Sequence, residues 1–375
     1  MKILTVVGAR PQFIKAAMVS RAIVEHNRQG ANPTVVEEII HTGQHYDDNM
    51  SDIFFRQMGI PEPAANLHAG TGLHGEMTGR MLSAIEKEIV NRKPDWVLVY
   101  GDTNSTLAGA LAAAKLQVPV AHVEAGLRSF NRRMPEEINR ILTDHVSSLL
   151  FCPTHAAVDN LSNEGITRGV HHVGDVMYDA ALLFGEIAAR TSTILRDLNL
   201  TPGEYYLATV HRAENTDDPI RLRNILTALK ALEKPVILPL HPRTKKILQK
   251  FSPSLLTPPS SPAKPSPSLR IVDPLSFLDM VELEKNARCI LTDSGGVQKE
   301  AYFHGVPCVT LREETEWVET VQAGWNQVVG AETERIVAAV RRARTGEPIH
   351  EYGEGNSTAD VLEHICAAVS GVQTE

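Results

Sequence analysis

Cysteine is scarce in this sequence, and the four cysteines present do not form a recognisable metal or redox motif. None of Cys152, Cys289, Cys308 and Cys366 belongs to a C-x-x-C pair, and three of them lie in apolar runs. We therefore expect buried, reduced thiols instead of disulfides. No D-x-D pair is present either, and no bound metal is expected.

Long apolar runs and an excess of positive charge are also absent. No apolar run approaches the about 18 residues that suggest a membrane-spanning helix. The first residues, "MKILTVVGAR", turn polar too soon for a signal peptide, so we expect a cytoplasmic protein. A net charge of −8 disfavours nucleic acid as a partner. Neither nucleic acid nor a membrane is therefore an expected partner.

Short runs rich in valine, isoleucine and leucine alternate with amphipathic stretches along almost the whole chain. The predicted strands include "KILTVV", "VVEEII", "WVLVY", "VPVAHV", "EYYLATV", "PVILPL", "LRIVD", "RCILTD" and "PCVTL". Such alternation is typical of α/β proteins with parallel sheets covered by helices. The stretches beginning "WVLVYGDTNST" and "ARCILTDSGG" also repeat one strand–turn–helix–strand design. We therefore predict two doubly wound, Rossmann-like domains facing a central cleft.

The predicted domain bounds are 1–175 for the N-terminal domain and 176–355 for the C-terminal domain. The last segment, 356–375, is predicted to be a helix and is a candidate to pack back on the N-terminal domain. One stretch, 251–270, is rich in proline and serine, which excludes an inner strand and favours a surface loop.

Polar side chains gather where predicted strands of the first half end. "VVGARPQFIK" lacks a G-x-G-x-x-G fingerprint at this strand–helix turn, so no nicotinamide cofactor is expected, and it places two cations at the start of a helix. "YGDTNST", "HVEAGLRS" and "RMPEEINR" add acids, which can serve as helix caps or as acid–base groups. The candidates in this half are Arg10, Lys15, Asp102, Glu124 and Glu136.

The second half shows the same concentration of polar groups. "LATVHRAEN" and "LHPRT" each follow a predicted strand with a histidine and an arginine, and "TDSGGVQKEA" opens a predicted helix with two glycines. A glycine-rich turn before a helix offers backbone N–H groups to a phosphate. The candidates in this half are His211, Arg212, His241, Ser294, Gly295, Gly296 and Glu300.

Taken together, these motifs resemble one family, the non-hydrolysing UDP-N-acetylglucosamine 2-epimerases. The resemblance runs in order through "VVGARPQFIKAAMV", "TGQHYDDNM", "YGDTNSTLAG", "VEAGLR", "PEEINR", "VHRAEN", "TDSGGVQKEA" and "TEWVETVQAGWN". It implies the two-domain glycosyltransferase-B fold and a cytoplasmic homodimer active in polysaccharide biosynthesis. It also implies reversible conversion of UDP-GlcNAc to UDP-ManNAc, through elimination and re-addition of UDP by way of a 2-acetamidoglucal.

The resemblance also assigns roles to the candidate residues. Asp102, Glu124 and Glu136 match the family's catalytic carboxylates, and His211 matches a histidine beside the departing diphosphate. The implied nucleotide-sugar site contains Arg10, Lys15, Ser294, Gly295, Gly296 and Glu300, with Glu300 on the ribose. A second, regulatory site is implied for Gln44 and Arg212, with His241 as a further candidate.

Several residues depart from the family's usual pattern. Lys299 stands where an acid is common, "REETEWVE" replaces R-x-T-T-E-R-P-E, and Met280 stands where an aromatic is frequent. These departures, with Arg132 and Arg133, favour as an alternative substrate a UDP-2,3-diacetamido uronic acid, used in O-antigen synthesis. A hydrolysing epimerase, a glycosyltransferase of the same fold and a non-catalytic nucleotide-sugar sensor are the remaining alternatives.

Overall fold

The computed structural model describes residues 1–44, 60–240, 242–251 and 269–371, which form two compact units. The first unit comprises Met1–Ala180 and His350–Glu375, and the second comprises Ala181–Ile349. His241 and most of the predicted proline- and serine-rich loop lie outside the described residues.

The first unit contains seven parallel strands among its described residues. They are Lys2–Val7 (β1), Val36–His41 (β2), Ala65–Asn66 (β3), Trp96–Tyr100 (β4), Val120–Val123 (β5), Leu149–Cys152 (β6) and Val170–His172 (β7). Its helices are Arg10–Arg28 (α1), His74–Arg92 (α2), Asn104–Lys115 (α3), Pro135–Val146 (α4) and His155–Asn163 (α5). Helix α6, Val176–Thr191, contains the point, after Ala180, where the chain passes from the first unit to the second.

The second unit contains six parallel strands among its described residues. They are Tyr206–Thr209 (β8), Val236–Pro239 (β9), Leu269–Val272 (β10), Cys289–Thr292 (β11), Cys308–Thr310 (β12) and Asn326–Val328 (β13). Its helices are Ile194–Asp197 (α7), Ala213–Thr216 (α8), Pro219–Lys230 (α9), Pro242–Phe251 (α10), Phe277–Asn286 (α11), Gly295–Phe303 (α12), Val318–Gln322 (α13) and Thr333–Arg342 (α14).

The central strands β1, β4, β8 and β11 are buried on both faces, which explains their nearly continuous apolar sequences. In the first unit Leu4 and Val97 pair across β1 and β4 and pack with Met81 of α2. In the second unit Ile290 of β11 pairs with Leu207 of β8. Two parallel sheets with intervening helices confirm the predicted α/β class.

Each sheet reverses its strand order at one place. The first sheet has the order β3-β2-β1-β4-β5-β6-β7, and the second has the order β10-β9-β8-β11-β12-β13. The reversal therefore falls between β1 and β4 in the first unit and between β8 and β11 in the second. Ligands of open parallel sheets bind outside the carboxyl ends of the strands at such switch points. Several of the polar residues predicted to form the site follow the strands that border these two switch points.

The chain ends in a helix that belongs to the first unit. This helix, Ser357–Gly371 (α15), packs against α1 and buries Val361 and Ile365. The four cysteines are buried and free, and burial raises the pKa of the Cys308 thiol to about 12. Within the described ranges, no helix is long and apolar enough to cross a membrane.

Candidate active site

The turn after β1 is joined to the end of β4 by one buried side chain, Gln12. Its Oε1 accepts the N–H groups of Gly8 at 2.8 Å and Ala9 at 3.1 Å, and its amide donates to the Tyr100 carbonyl at 2.8 Å. Gly8 must lack a side chain, because a Cβ there would lie 2.1 Å from Ser105 Oγ. The two strand ends at the switch point are thus held close together.

Lys15 and Glu124 form a nearly buried ion pair beside this turn. Lys15 Nζ contacts Glu124 Oε2, and the two side chains are 7% and 13% exposed. Glu124 follows β5 with a φ of +70°, a left-handed conformation that non-glycine residues seldom adopt. Gly101 leaves room for the pair, since a Cβ there would lie 3.1 Å from Glu124 Oε2.

Asp102 directly follows Gly101 and is held by α4. Its Oδ2 pairs with Arg140 Nη2, and Arg140 Nη1 donates to Glu137 Oε2 at 2.6 Å. Asn139 donates to the Asp102 carbonyl at 3.0 Å. Two charged or polar groups of one helix therefore fix both the backbone and the carboxylate of Asp102.

The two acids in the first turn of α4 have different surroundings. Glu137 is buried and accepts the N–H groups of Ser129 at 3.0 Å and Phe130 at 2.9 Å, so it organises the preceding loop. Glu136, the acid predicted to take part in catalysis, is half-buried in the same turn. The helix thus provides one structural acid and one that is more accessible.

A buried histidine that sequence analysis did not identify lies beneath these groups. His122 Nδ1 lies 2.7 Å from Asp144 Oδ1, and its Nε2 lies 2.7 Å from the Gly101 carbonyl. Arg128 Nη1 donates to Asp144 Oδ2 at 2.7 Å. Burial alone would raise the pKa of Asp144, but the hydrogen bonds and charges of His122 and Arg128 outweigh it and lower the pKa. The sequence signal that could have identified His122 is the occurrence of a histidine inside the otherwise apolar strand β5.

The other predicted residues of the first unit lie near the same strand ends. Arg10 is the first residue of α1, immediately after the turn that Gln12 holds. Gln44 Oε1 accepts a hydrogen bond from Ser105 Oγ at 2.7 Å, which places Gln44 beside the N-terminal turn of α3. His241, predicted for the same regulatory site as Gln44, falls outside the described residues.

In the second unit, Asp293 organises the switch point between β8 and β11. Its buried carboxylate accepts the N–H groups of His211, at 3.0 and 3.1 Å, and of Arg212, at 3.0 Å. Asn215 donates to it at 3.1 Å. Burial lowers the pKa of His211; Asp293 opposes this shift and Arg212 adds to it.

Helix α12 begins next to Asp293. Ser294 is its N-cap, with Oγ accepting the N–H of Val297 at 3.5 Å. Gly295 is buried and Gly296 exposed, while Glu300, four residues beyond Gly296, is half-buried. A helix N-terminus with exposed N–H groups attracts anions such as phosphate. Among the described residues, no group of three or more His, Cys, Asp or Glu could hold a metal ion.

The comparisons with known proteins agree on one family. The family model of UDP-N-acetylglucosamine 2-epimerases matches residues 28–366. The chain belongs to the UDP-N-acetylglucosamine 2-epimerase family. The predicted enzyme class, an epimerase and hence an isomerase, is confirmed by this membership.

Individual members of this epimerase family cover almost all of the chain. A UDP-2,3-diacetamido-2,3-dideoxy-D-glucuronate 2-epimerase of Pseudomonas aeruginosa is 52% identical over 97% of this chain and 99% of its own. A UDP-N-acetylglucosamine 2-epimerase of Methanocaldococcus jannaschii is 46% identical over 91% of each chain. The solved structure of a Methanocaldococcus jannaschii epimerase, in complex with UDP-GlcNAc and UDP, gives a TM-score of 0.87 at 44% identity, covering 98% of this chain and 100% of that one.

Proposed function

We propose that this protein reversibly inverts C2 of UDP-N-acetylglucosamine to give UDP-N-acetylmannosamine. The observation that carries the proposal is the chemistry of the two switch points. Three carboxylates, two of them paired with cations, follow the strands or begin a helix in the first unit. In the second unit, backbone N–H groups at the start of α12 stand beside His211.

The proposed reaction proceeds in two reversible steps without net oxidation. A carboxylate takes the C2 proton, the C1–O bond breaks, and its electron pair leaves with the diphosphate. The products are UDP and a 2-acetamidoglucal with a double bond between C1 and C2. A proton is then delivered to the opposite face of C2, and a diphosphate oxygen restores the bond to C1. Two proton-transferring groups are therefore needed.

We assign the proton transfers to the carboxylates of the first unit, Asp102, Glu124 and Glu136. Lys15 pairs with Glu124, and Arg140 pairs with Asp102, so these two carboxylates are each held in one orientation by a cation. Groups that are already held in the reactive orientation can lower the activation barrier considerably, because their orientational entropy does not have to be lost during the reaction. Arg10 and Lys15 are proposed to contact the nucleotide sugar.

We assign the UDP moiety to the second unit. The N–H groups at Ser294, Gly295 and Gly296 are proposed to bind the diphosphate, where negative charge develops as it leaves. His211 is proposed to stabilise the same charge as an imidazolium. Glu300 is proposed to accept hydrogen bonds from the ribose hydroxyls.

A second candidate substrate is a UDP-2,3-diacetamido uronic acid. It is favoured by the 52% identity to an epimerase named for such a sugar. Arg132 and Arg133 are exposed just before α4 and offer guanidinium groups to a sugar carboxylate. The ratio of kcat/KM for the two UDP-sugars, measured before and after Arg132→Ala and Arg133→Ala, tests this candidate.

We further propose a homodimer in the cytoplasm and a regulatory UDP-GlcNAc site that includes Gln44, Arg212 and His241. Light scattering of the purified protein tests the dimer. A Gln44→Ala variant tests the site, because turnover of UDP-ManNAc should lose any stimulation by added UDP-GlcNAc. As a control, the turnover rate of the variant at saturating substrate should match that of wild type.

The most direct test of the function is to incubate the protein with candidate UDP-sugars and record proton and phosphorus NMR spectra. The expected result is a mixture of two C2 epimers, with almost all UDP still attached to sugar. Stoichiometric release of UDP with free N-acetylmannosamine would instead identify a hydrolysing epimerase. Turnover only after an acceptor is added would identify a glycosyltransferase, and binding without turnover would identify a sensor.

A further inference from the structure

Helix α12 presents two different faces within its first two turns. Gly295 and Lys299 are buried on one face, and Lys299 is only 2% exposed. Gly296 is exposed and Glu300 half-buried on the next face. Residues four positions apart lie on the same side of a helix. The rotation of α12 about its axis therefore decides whether Gly296 and Glu300 are presented to a ligand.

Residues 315–317, which precede α13, lie against the buried face of α12; we call them the 315–317 segment. Thr315 Oγ1 donates to Gln298 Oε1 at 2.6 Å. The Glu316 side chain occupies the space that a side chain at position 295 would need. A Cβ on Gly295 would lie 2.2 Å from Glu316 Oε1. Both contacts fall on the first turns of α12, where the diphosphate is proposed to bind.

The third residue of the segment contacts the next turn of the helix. The Lys299 ammonium lies 3.9 Å from the centroid of the Trp317 ring, and Trp317 is only 4% exposed. A cation over an aromatic face is attracted more strongly when both groups are removed from water. Trp317 Nε1 is buried and has no hydrogen-bond partner among the described residues, so no hydrogen bond of this atom orients the ring, whereas Lys299 lies over its face.

We propose that Lys299 and Trp317 are positioning residues for UDP. Their contact fixes the rotation of α12, so that the Gly296 N–H points at the diphosphate and the Glu300 carboxylate at the ribose. Neither side chain contacts the ligand. This inference rests on the proposed function, because UDP is the ligand that α12 is proposed to hold.

The test compares UDP affinity, by calorimetry, in wild type, Lys299→Met and Lys299→Arg. Methionine keeps the length of the side chain but removes its charge, and the Kd for UDP should rise about tenfold. Arginine can also stack on an aromatic face, so Lys299→Arg should recover most of the affinity. Lys299→Arg keeps the buried positive charge, so its melting temperature should stay close to that of wild type.

Lys230→Met is the matched control, since Lys230 is exposed at the end of α9 and should bind UDP like wild type. Equal UDP affinity in Lys299→Met and wild type would overturn the positioning role. A large fall in melting temperature in both Lys299 variants, with equally weak UDP binding, would assign the pair to folding alone and also overturn it. A wild-type protein that does not bind UDP would instead overturn the proposed function, and this inference with it.

Discussion

Asp293 accepts the backbone N–H of His211 with both oxygens of its carboxylate, at 3.0 and 3.1 Å. This contact joins the residue after β11 to the residues after β8, across the point where the second sheet reverses its strand order. It leaves the His211 side chain partly exposed, with 34% of its surface accessible. Asp293 thus holds the backbone of His211, while the ring of His211 remains accessible to a ligand.

The lowered pKa of His211 predicts that UDP binding takes up a proton. Burial keeps the ring neutral near pH 7, and a bound diphosphate beside it would favour the imidazolium. Calorimetric heats of UDP binding should therefore differ between two buffers of different ionisation enthalpy. The difference should shrink in His211→Gln. Identical buffer dependence in the variant and wild type would remove His211 from the diphosphate site.

We expect Glu300→Ala to weaken the binding of UDP itself. Hydrogen bonds to a charged group contribute roughly 1.5–3 kcal/mol, so the Kd should rise about ten- to a hundredfold. Glu334→Ala, at an exposed position of α14, is the control and should bind like wild type. Unchanged affinity in Glu300→Ala would contradict the ribose role.

Gly101→Ala should reduce turnover by displacing the Lys15–Glu124 pair. Gly101 has a φ of +63°, and an added Cβ would lie 3.1 Å from Glu124 Oε2 and 3.5 Å from Lys15 Nζ. Misplacement of a catalytic group by about 1 Å can cost about a hundredfold in rate. We therefore expect kcat to fall by up to about this factor.

The matched control for this substitution is Gly165→Ala. Gly165 also has a left-handed φ, +81°, but a Cβ there would meet nothing within 4 Å. Both variants should lose roughly 1–2 kcal/mol of stability from backbone strain, and the control should keep its kcat. An equal effect of the two variants on kcat would show that strain alone is responsible.

Two adjacent glutamates of β2 should give opposite pH dependences of stability. Burial raises the pKa of Glu37, although hydrogen bonds from Ser20 and Thr5 oppose this. The stability contributed by protonated Glu37 is present at low pH and is lost as pH rises above the ordinary value of 4.5. Glu37→Gln should therefore gain melting temperature relative to wild type as pH is raised from 5 to 8.

Glu38 provides the comparison. Hydrogen bonds from Lys2 and Arg92 lower its pKa, so its contribution is present above the ordinary value and is lost as pH falls through the folded-state pKa. Glu38→Gln should lose melting temperature at neutral pH and approach wild type in acid. A pH-independent difference for both variants would contradict the predicted direction of these shifts.

Much of the fold could be predicted because buried parallel strands have continuous apolar sequences. The run "KILTVV" coincides with β1, and the runs "VPVAHV" and "PCVTL" contain β5 and β12. The short strands β3, β7 and β13, of two or three residues each, were not predicted, because none of them forms an apolar run long enough to be recognised. The topology then predicted that polar residues after the strands would gather at one edge.

The pairs within the site could not be predicted, because the partners are far apart in the sequence. Lys15 and Glu124 are 109 residues apart, and Arg140 and Asp102 are 38 apart. Lys15, Asp102 and Glu124 were identified from their places after a strand or within a helix, whereas Arg140 was not identified as a candidate. No local pattern indicates which acid meets which cation. Lys299 was recognised only as a departure from a family pattern, since nothing in the sequence shows that its ammonium lies over Trp317.

The most direct test of the central claim is to run the reaction in D₂O and follow C2 of the UDP-sugar by NMR. If carboxylates of the first unit remove and return the C2 proton, the epimerised sugar should carry deuterium at C2 and remain linked to UDP. Asp102→Asn should reduce this incorporation greatly while still binding UDP. Epimerised sugar that retains its original C2 hydrogen would contradict the account.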